Sequence, residues 1–225
     1  MRVVIVLALL GSLAVFTATP FSSAGHDHVG VLAPIAHPVE STGAEAPSAL
    51  PPWVIETAVV TQLTGSGSAN ATADRWNVYG TDLGHMVLHD DELYMIFGDT
   101  YGADGGDWRS NVIARISDPD PRNGLSFAAM AEAPDGSARE LLRAARVPGL
   151  EWTVIPTNAV SAAGRLVLHY MSVRVWGGND RWFVGGSGLA WSEDGGNSWV
   201  KSPTAVWPGG TGFQQVANDA SGVKI

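Results

Sequence analysis

The 225-residue chain has a formal net charge of -9, from 22 acidic and 13 basic side chains, and contains no cysteine. That balance makes nucleic acid and anionic membrane surfaces poor partners, and it excludes disulfides while leaving an oxidising compartment open. Nine tryptophans and 27 glycines point to a turn-rich β protein with aromatic surfaces, a composition shared with many polysaccharide-binding proteins.

Arg2 is a short basic start, Val3 to Phe16 is an unbroken run of apolar or small residues, and Ser22-Ser23-Ala24 is a small-residue cleavage site. The expectation is a secretory signal peptide, residues 1–24, cut after Ala24; an uncleaved anchor is the alternative. Either way the folded part is expected outside the cytoplasm, secreted or associated with the cell wall. Residues 25–52 are Ala, Pro, Gly, Ser, Glu and His without periodicity, the signature of a disordered linker. His26-Asp27-His28 has metal-binding chemistry, but a solvated tail is the simpler reading.

A β domain is expected over residues 53–225. Thr57 to Leu63 reads as a strand, Gly65 to Ala73 as a loop, and Trp76 to Tyr79 as the lead into a hairpin. In that hairpin two β-forming runs flank the polar tetrad His89 to Glu92. With the turn centred between Asp90 and Asp91, paired residues have numbers summing to 181. Met86 then faces Met95, Gly84 faces Phe97, and Asp82 faces Asp99. Alternation puts Asp82, Met86, Leu88, Leu93, Met95, Phe97 and Asp99 on one face. Two carboxylates directly opposed destabilise a sheet, which suggests a use for them. Glycines 80, 84 and 98 leave room for a ligand. A one-residue slip would separate the pair.

Asn111 to Ser117 and Ser126 to Met130 read as further strands, and Ser137 to Val147 as a short helix. The pattern then returns. Gly164 to Tyr170 matches Asp91 to Phe97 at an offset of 73, and Leu189 to Asp194 resembles Ala114 to Asp118 near 75. A repeated four-strand unit of that length suggests β-propeller blades. Ser192-Glu193-Asp194-Gly195-Gly196-Asn197-Ser198-Trp199 has the Asp-box pattern Ser-x-Asp-x-Gly-x-Ser-Trp. Its Asp caps a hairpin by accepting backbone N–H groups and its Trp packs, so Asp194 is read as structural.

Together Gly80-Thr81-Asp82-Leu83-Gly84, Phe97-Gly98-Asp99-Thr100, Trp108-Arg109-Ser110-Asn111, Ile155-Pro156-Thr157-Asn158, Met171-Ser172-Val173 and the Asp-box resemble the secreted DUF4185 family over roughly Trp53 to Ala217. Members of this family are identified as endo-D-arabinanases, glycoside hydrolases on a five-bladed β-propeller that cut the D-arabinan of actinobacterial envelopes. The resemblance implies an all-β fold of four-stranded antiparallel blades, catalytic carboxylates at Asp82 and Asp99, arabinan as partner, and no cofactor or metal. The residues from Trp53 hold little more than two blade repeats, with Phe213 to Ala217 like the entry to a third. The expectation is therefore an incomplete propeller, truncated and poorly stable alone, with its outer apolar faces open.

Further candidates each carry two readings. Arg109 and Asn111 orient a carboxylate or hold sugar hydroxyls, or else form a salt bridge and an Asx-turn. Glu151 is a third carboxylate at the same mouth or a solvated surface group. Asn158 belongs to the loop expected to reach that mouth. Trp108, Trp152 and Trp176 stack on sugars or pack between blades. His85 and His89, roughly 13 Å apart along a strand, cannot share one ion. His169 stands where the repeat has an apolar residue and is expected inside, hydrogen-bonded. The functional readings are a secreted glycosidase with Asp82 and Asp99 as acid and base or nucleophile, a non-catalytic cell-wall glycan-binding propeller, and a degenerate product with neither activity.

Overall fold

The computed structural model describes residues 58–177 and 182–209, with two short strands at Ala217–Asp219 and Gly222–Lys224. The described residues from Val59 onward belong to one compact unit. After a single turn of helix, α1 (Thr72–Trp76), come β1 (Gly80–His89), β2 (Glu92–Tyr101), β3 (Val112–Asp118) and β4 (Ser126–Met130). These form one antiparallel sheet in sequence order. A second sheet of the same kind holds β5 (Thr153–Ala162), β6 (Arg165–Trp176), β7 (Trp182–Ser192) and β8 (Val200–Pro208). The protein is all-β with two four-stranded antiparallel sheets, and the repeat at an offset of 73 aligns β2 with β6, the second strand of each.

The β1–β2 hairpin turns on Asp90 and Asp91, whose φ angles are 48° and 63°. Positive φ at both central residues matches the twist of the flanking strands, and aspartate tolerates it. From His89↔Glu92 to His85↔Ile96 the register is the expected one. There it breaks: Leu83, not Gly84, faces Phe97, and pairing resumes at Thr81↔Thr100. Gly84 (φ 129°) is the extra residue on β1. Gly98 and Asp99 together oppose Asp82 on β2. Two compensating bulges leave the outer pairs in the predicted register.

The two faces of the first sheet bury separate cores. Met95, Phe97, Val112, Ala114, Ile116 and Phe127 pack under Trp76, Val78 and Leu63. On the other face, Val87, Tyr94, Ile96 and Ile113 pack against Val154, Leu166, Leu168 and Ala190 of the second sheet. His89, buried at the end of β1, hydrogen-bonds Ser161 Oγ at 2.8 Å. His169 is buried, with Thr157 Oγ1 2.5 Å from its Nδ1, as expected of an interior histidine. In the Ser192–Trp199 turn, Asp194 accepts the Ser198 amide at 2.8 Å and Ser198 Oγ at 2.6 Å, and Trp199 Nε1 donates to Gly196 O.

Three expectations are corrected. The strand expected at Thr57 to Leu63 is irregular over 58–63, because its carbonyls serve a loop: Gln62 O accepts from the Ala69 amide and Leu63 O from Asn70 Nδ2. The helix expected at Ser137 to Val147 is absent. The amides there are taken by distant partners, Ala138 by Trp76 O, Arg139 by Ala131 O, and Leu141 and Leu142 by Asn111 Oδ1. Tertiary hydrogen bonds have replaced the i→i−4 ladder. Conversely, α1 includes two residues expected in the Gly65–Ala73 loop. Residues 1–57, with the signal peptide, linker and His26-Asp27-His28, lie outside the described residues. No helix among the described residues is long and apolar enough to cross a membrane.

Candidate functional site

The two bulges decide where the aspartates point. A Cβ on Gly98, which points to the side of the sheet opposite Phe97, would meet Asp82 Oδ1 and the Leu83 side chain, whereas one on Gly84 would meet Met95 and Phe97. Asp82 therefore lies on the Gly98 side of the sheet, opposite Phe97, and Asp99 reaches from the same side to β5. The expected location, beside Met86 and Met95, is therefore wrong by one residue on both strands. The slip occurs twice, so the pair stays together. Asp99 Oδ1 confirms the direction by accepting from Thr153 Oγ1, at the start of β5, at 3.0 Å.

Asp99 is buried and held from two sides. Trp108 Nε1 donates to the same Oδ1 at 2.9 Å. Thr153 Oγ1 also lies 2.9 Å from Ser110 Oγ. Burial raises the Asp99 pKa, while the Trp108 and Thr153 donors and the Arg146 charge pull it down and Glu140 pushes it up.

Asp82 is less well served. Its Oδ1 is buried and finds no hydrogen-bond partner among the described residues. It lies against Gly98, where an added Cβ would overlap it. Burial and then the charge of Asp99 push its pKa up to about 6, with backbone amides of Asp99 and Asp82 opposing. Asp99 has side-chain donors that Asp82 Oδ1 lacks, and its charge adds to the rise that burial gives Asp82. Tyr101, half exposed beside them, has its pKa raised by burial and by both carboxylates. His85, on the same face as Asp82, hydrogen-bonds the Pro156 carbonyl, but burial outweighs this and lowers its pKa.

The other predicted residues divide. Trp152 reaches the site: its ring lies 5.9 Å from that of Trp108, at 41°. Trp108 has one face under the Arg146 guanidinium at 3.8 Å. The Arg109 guanidinium points elsewhere, donating to Asn77 O at 2.7 Å and Ala138 O at 3.0 Å. Asn111, fully buried, ties Leu141 and Leu142 to Val154 O. Glu151 is occupied by Lys201 Nζ at 3.2 Å and Ser172 Oγ at 2.9 Å. Asn158 Oδ1 accepts from the Ala159 amide beside a bulge in β5. Trp176, at the end of β6, packs on Trp182. Among the described residues no group of three His, Asp or Glu is placed to hold a metal ion.

Arg146, Glu140, Thr153 and Tyr101 were not singled out from the sequence. Arg146 and Glu140 sat in the supposed helix, and Thr153 enters only when β5 docks on the first sheet. A cavity of about 240 Å³ lined by Glu92, Tyr94, Arg115 and Asp194 belongs to the turn end of the hairpin. Seven residues of strand, roughly 23 Å, separate Glu92 from Asp99.

A solved structure of a candidate hydrolase from Bacteroides ovatus ATCC 8483 aligns over 53% of this chain and 36% of its own, with a TM-score of 0.38 and 14% identity. This chain thus spans about a third of that protein's length, and the likeness is too slight to bear on chemistry. No curated protein matches. The family comparison is of a different order. A single family model matches residues 67–223, from the loop before α1 through both sheets and every residue that holds Asp82 and Asp99, and the chain therefore belongs to the family described as "Domain of unknown function (DUF4185)".

Proposed function

We propose that the protein is a secreted glycoside hydrolase acting on D-arabinan of actinobacterial cell walls, with residues 1–24 as signal peptide, 25–52 as linker, and the two sheets as blades of a five-bladed propeller. The observation that carries the reading is the unequal pair. Asp82 has its pKa pushed up to about 6, by burial and then by the charge of Asp99, whereas the rise that burial imposes on Asp99 is offset in part by the Trp108 and Thr153 donors and the Arg146 charge. Hydrolysis of a glycosidic bond needs that inequality: one carboxylic acid to protonate the leaving oxygen, and one carboxylate to attack the sugar or activate water. Asp82 is the acid and Asp99 the base or nucleophile. Trp152 and Tyr101 supply partly exposed aromatic surface at the same place, suited to a sugar ring. The arabinan specificity rests on the resemblance in sequence motifs.

The test is release of oligosaccharides from purified arabinan by the wild-type chain, Asp82→Asn and Asp99→Asn. Each variant should lose at least about a thousandfold in turnover while retaining the fold and binding to the polymer. Near-normal turnover in either would remove it from the pair. Polymer binding with no turnover in any form, wild type included, would instead identify a glycan-binding protein.

A further inference from the structure

Both donors to Asp99 Oδ1 come from segments that are irregular or at a strand end. Trp108 lies in the loop after β2, and Thr153 opens β5. Such segments do not hold a side chain to a few tenths of an ångström unless something clamps them. One residue touches both. Arg146 Cζ lies over the Trp108 ring, 3.8 Å from its centroid, and the guanidinium donates to Trp108 O at 3.3 Å and reaches Trp152 O, next to Thr153, at 3.5 Å. Its guanidinium is fixed in turn by Glu140 Oε1 at 2.7 Å, and the other end of that contact is tied down because Glu140 Oε1 also accepts the Ser110 amide at 2.9 Å. The Arg146 backbone is left-handed, φ 57°, a conformation that costs a non-glycine residue energy and persists where the surroundings demand it.

We propose that Arg146 is a positioning residue: braced by Glu140, it clamps the Trp108 and Trp152–Thr153 segments together and so holds Asp99 in place across from Asp82. A planar guanidinium can stack on an indole and bridge two carbonyls and a carboxylate at once, which a lysine cannot. The charged and titratable groups around Asp99 are Asp82 on β1, Tyr101 on β2, and Glu140 and Arg146 in the loop before β5. Of these, Arg146 alone is positive, so its loss acts on Asp99 both by field and by loosening the two donors. The consequence for turnover rests on the glycosidase reading; the consequence for titration does not.

The experiment is a carboxyl ¹³C NMR titration of the full chain from about pH 3 to about pH 9, covering the range where carboxylates titrate. Asp82 and Asp99 are assigned with Asp82→Asn and Asp99→Asn, and the Trp108 indole N–H is followed in parallel. Arg146→Gln should raise the Asp99 midpoint by about one unit and leave that of Asp82 nearly unchanged, narrowing their gap. It should also shift the Trp108 indole resonance. Arg146→Lys keeps the charge and loses the planar stack, so it should recover less than half of the Asp99 change and leave the indole shifted. Unmoved midpoints in a folded Arg146→Gln protein overturn the proposal, and so does full restoration by lysine, which would leave a charge effect without a clamp. If Arg146→Gln fails to fold, Arg146→Lys decides: an unmoved indole and Asp99 midpoint there overturn it. Turnover separates the two readings. A chain whose Asp99 midpoint moves but which cuts no glycan keeps the clamp and sinks the glycosidase, whereas turnover that depends on Asp99 with an unmoved midpoint does the reverse.

Discussion

Asp82 stands against the backbone of Gly98 and shares its face of the sheet with Asp99, because β1 gains a residue at Gly84 and β2 gains one between Phe97 and Thr100. The geometry is asymmetric in a way that two directly opposed aspartates would not be. Asp99 takes the side-chain donors, Trp108 Nε1 and Thr153 Oγ1, while Asp82 keeps a buried oxygen with no partner among the described residues. Burial raises both groups; the charge of Asp99 raises Asp82 further, whereas at Asp99 the push from Glu140 is opposed by the two donors and by Arg146.

That order predicts a bell-shaped pH dependence of kcat/KM. Activity requires Asp82 protonated and Asp99 ionised. The alkaline limb should fall near pH 6, where Asp82 loses its proton, and the acid limb below it, where Asp99 gains one. Asp99→Asn should abolish turnover at every pH. An alkaline limb well above neutrality would assign the acid to another group.

The same shift affects stability. The folded-state pKa of Asp82, about 6, lies above its ordinary 3.8. The folded state therefore binds the proton more tightly, and the Asp82 contribution is most favourable below pH 3.8 and is lost as pH rises through about 6. Asp82→Asn removes a charge that the fold bears only at the higher pH. It should stabilise the protein by about 1 kcal/mol at pH 8, an increase in Tm of a few degrees, and have little effect at pH 4. Thermal melts of the two proteins at both pH values check this, and equal shifts at pH 4 and pH 8 would count against it.

Gly98→Ala tests the close approach. Its Cβ would overlap Asp82 Oδ1 and come within 2.9 Å of Leu83 Cδ1. Both neighbours must move, at a cost of about 1–3 kcal/mol, and Asp82 should leave its place. The expected result is a folded protein with turnover reduced at least about tenfold. Crystallography or the Asp82 carboxyl resonance would show the displacement.

Asn111→Ala should act on the fold rather than on the site. It removes the acceptor of the Leu142 amide and the donor to the Leu142 and Val154 carbonyls, all supplied by a fully buried side chain, and leaves the Leu141 amide only the backbone carbonyl of residue 111. A loss of roughly 2–4 kcal/mol in denaturant unfolding is expected. A change below about 0.5 kcal/mol would mean that those groups find other partners.

Asp194→Ala should cost about 1–2 kcal/mol through the Ser192–Trp199 turn, whose Ser198 amide and hydroxyl it accepts. Turnover per folded molecule should be unchanged, as activity assays normalised to folded protein would establish.

Local chemistry made much of this protein legible in its sequence. The two aspartates of the hairpin tip take the positive φ that a two-residue turn demands, so Asp90-Asp91 fixed the register of Val87, Leu88 and His89 against Tyr94, Leu93 and Glu92. Alternation and β-branched content located β1, β2, β3 and β4, and the repeat at an offset of 73 located β6. The pairing of Asp82 with Asp99 was also within reach, because it depends on strand register alone. What the sequence could not supply was the pair of bulges. Glycines at 84 and 98 permit them, but permission is not requirement, and only the folded hairpin, docked beside β5, brings Asp82 against Gly98 and Asp99 to Thr153. The supposed helix at Ser137 to Val147 failed for the same reason. Its amides are bound by Trp76, Asn111 and Ala131, partners brought close only by the tertiary fold, and with them came Arg146 and Glu140, which no local pattern connects to Asp99.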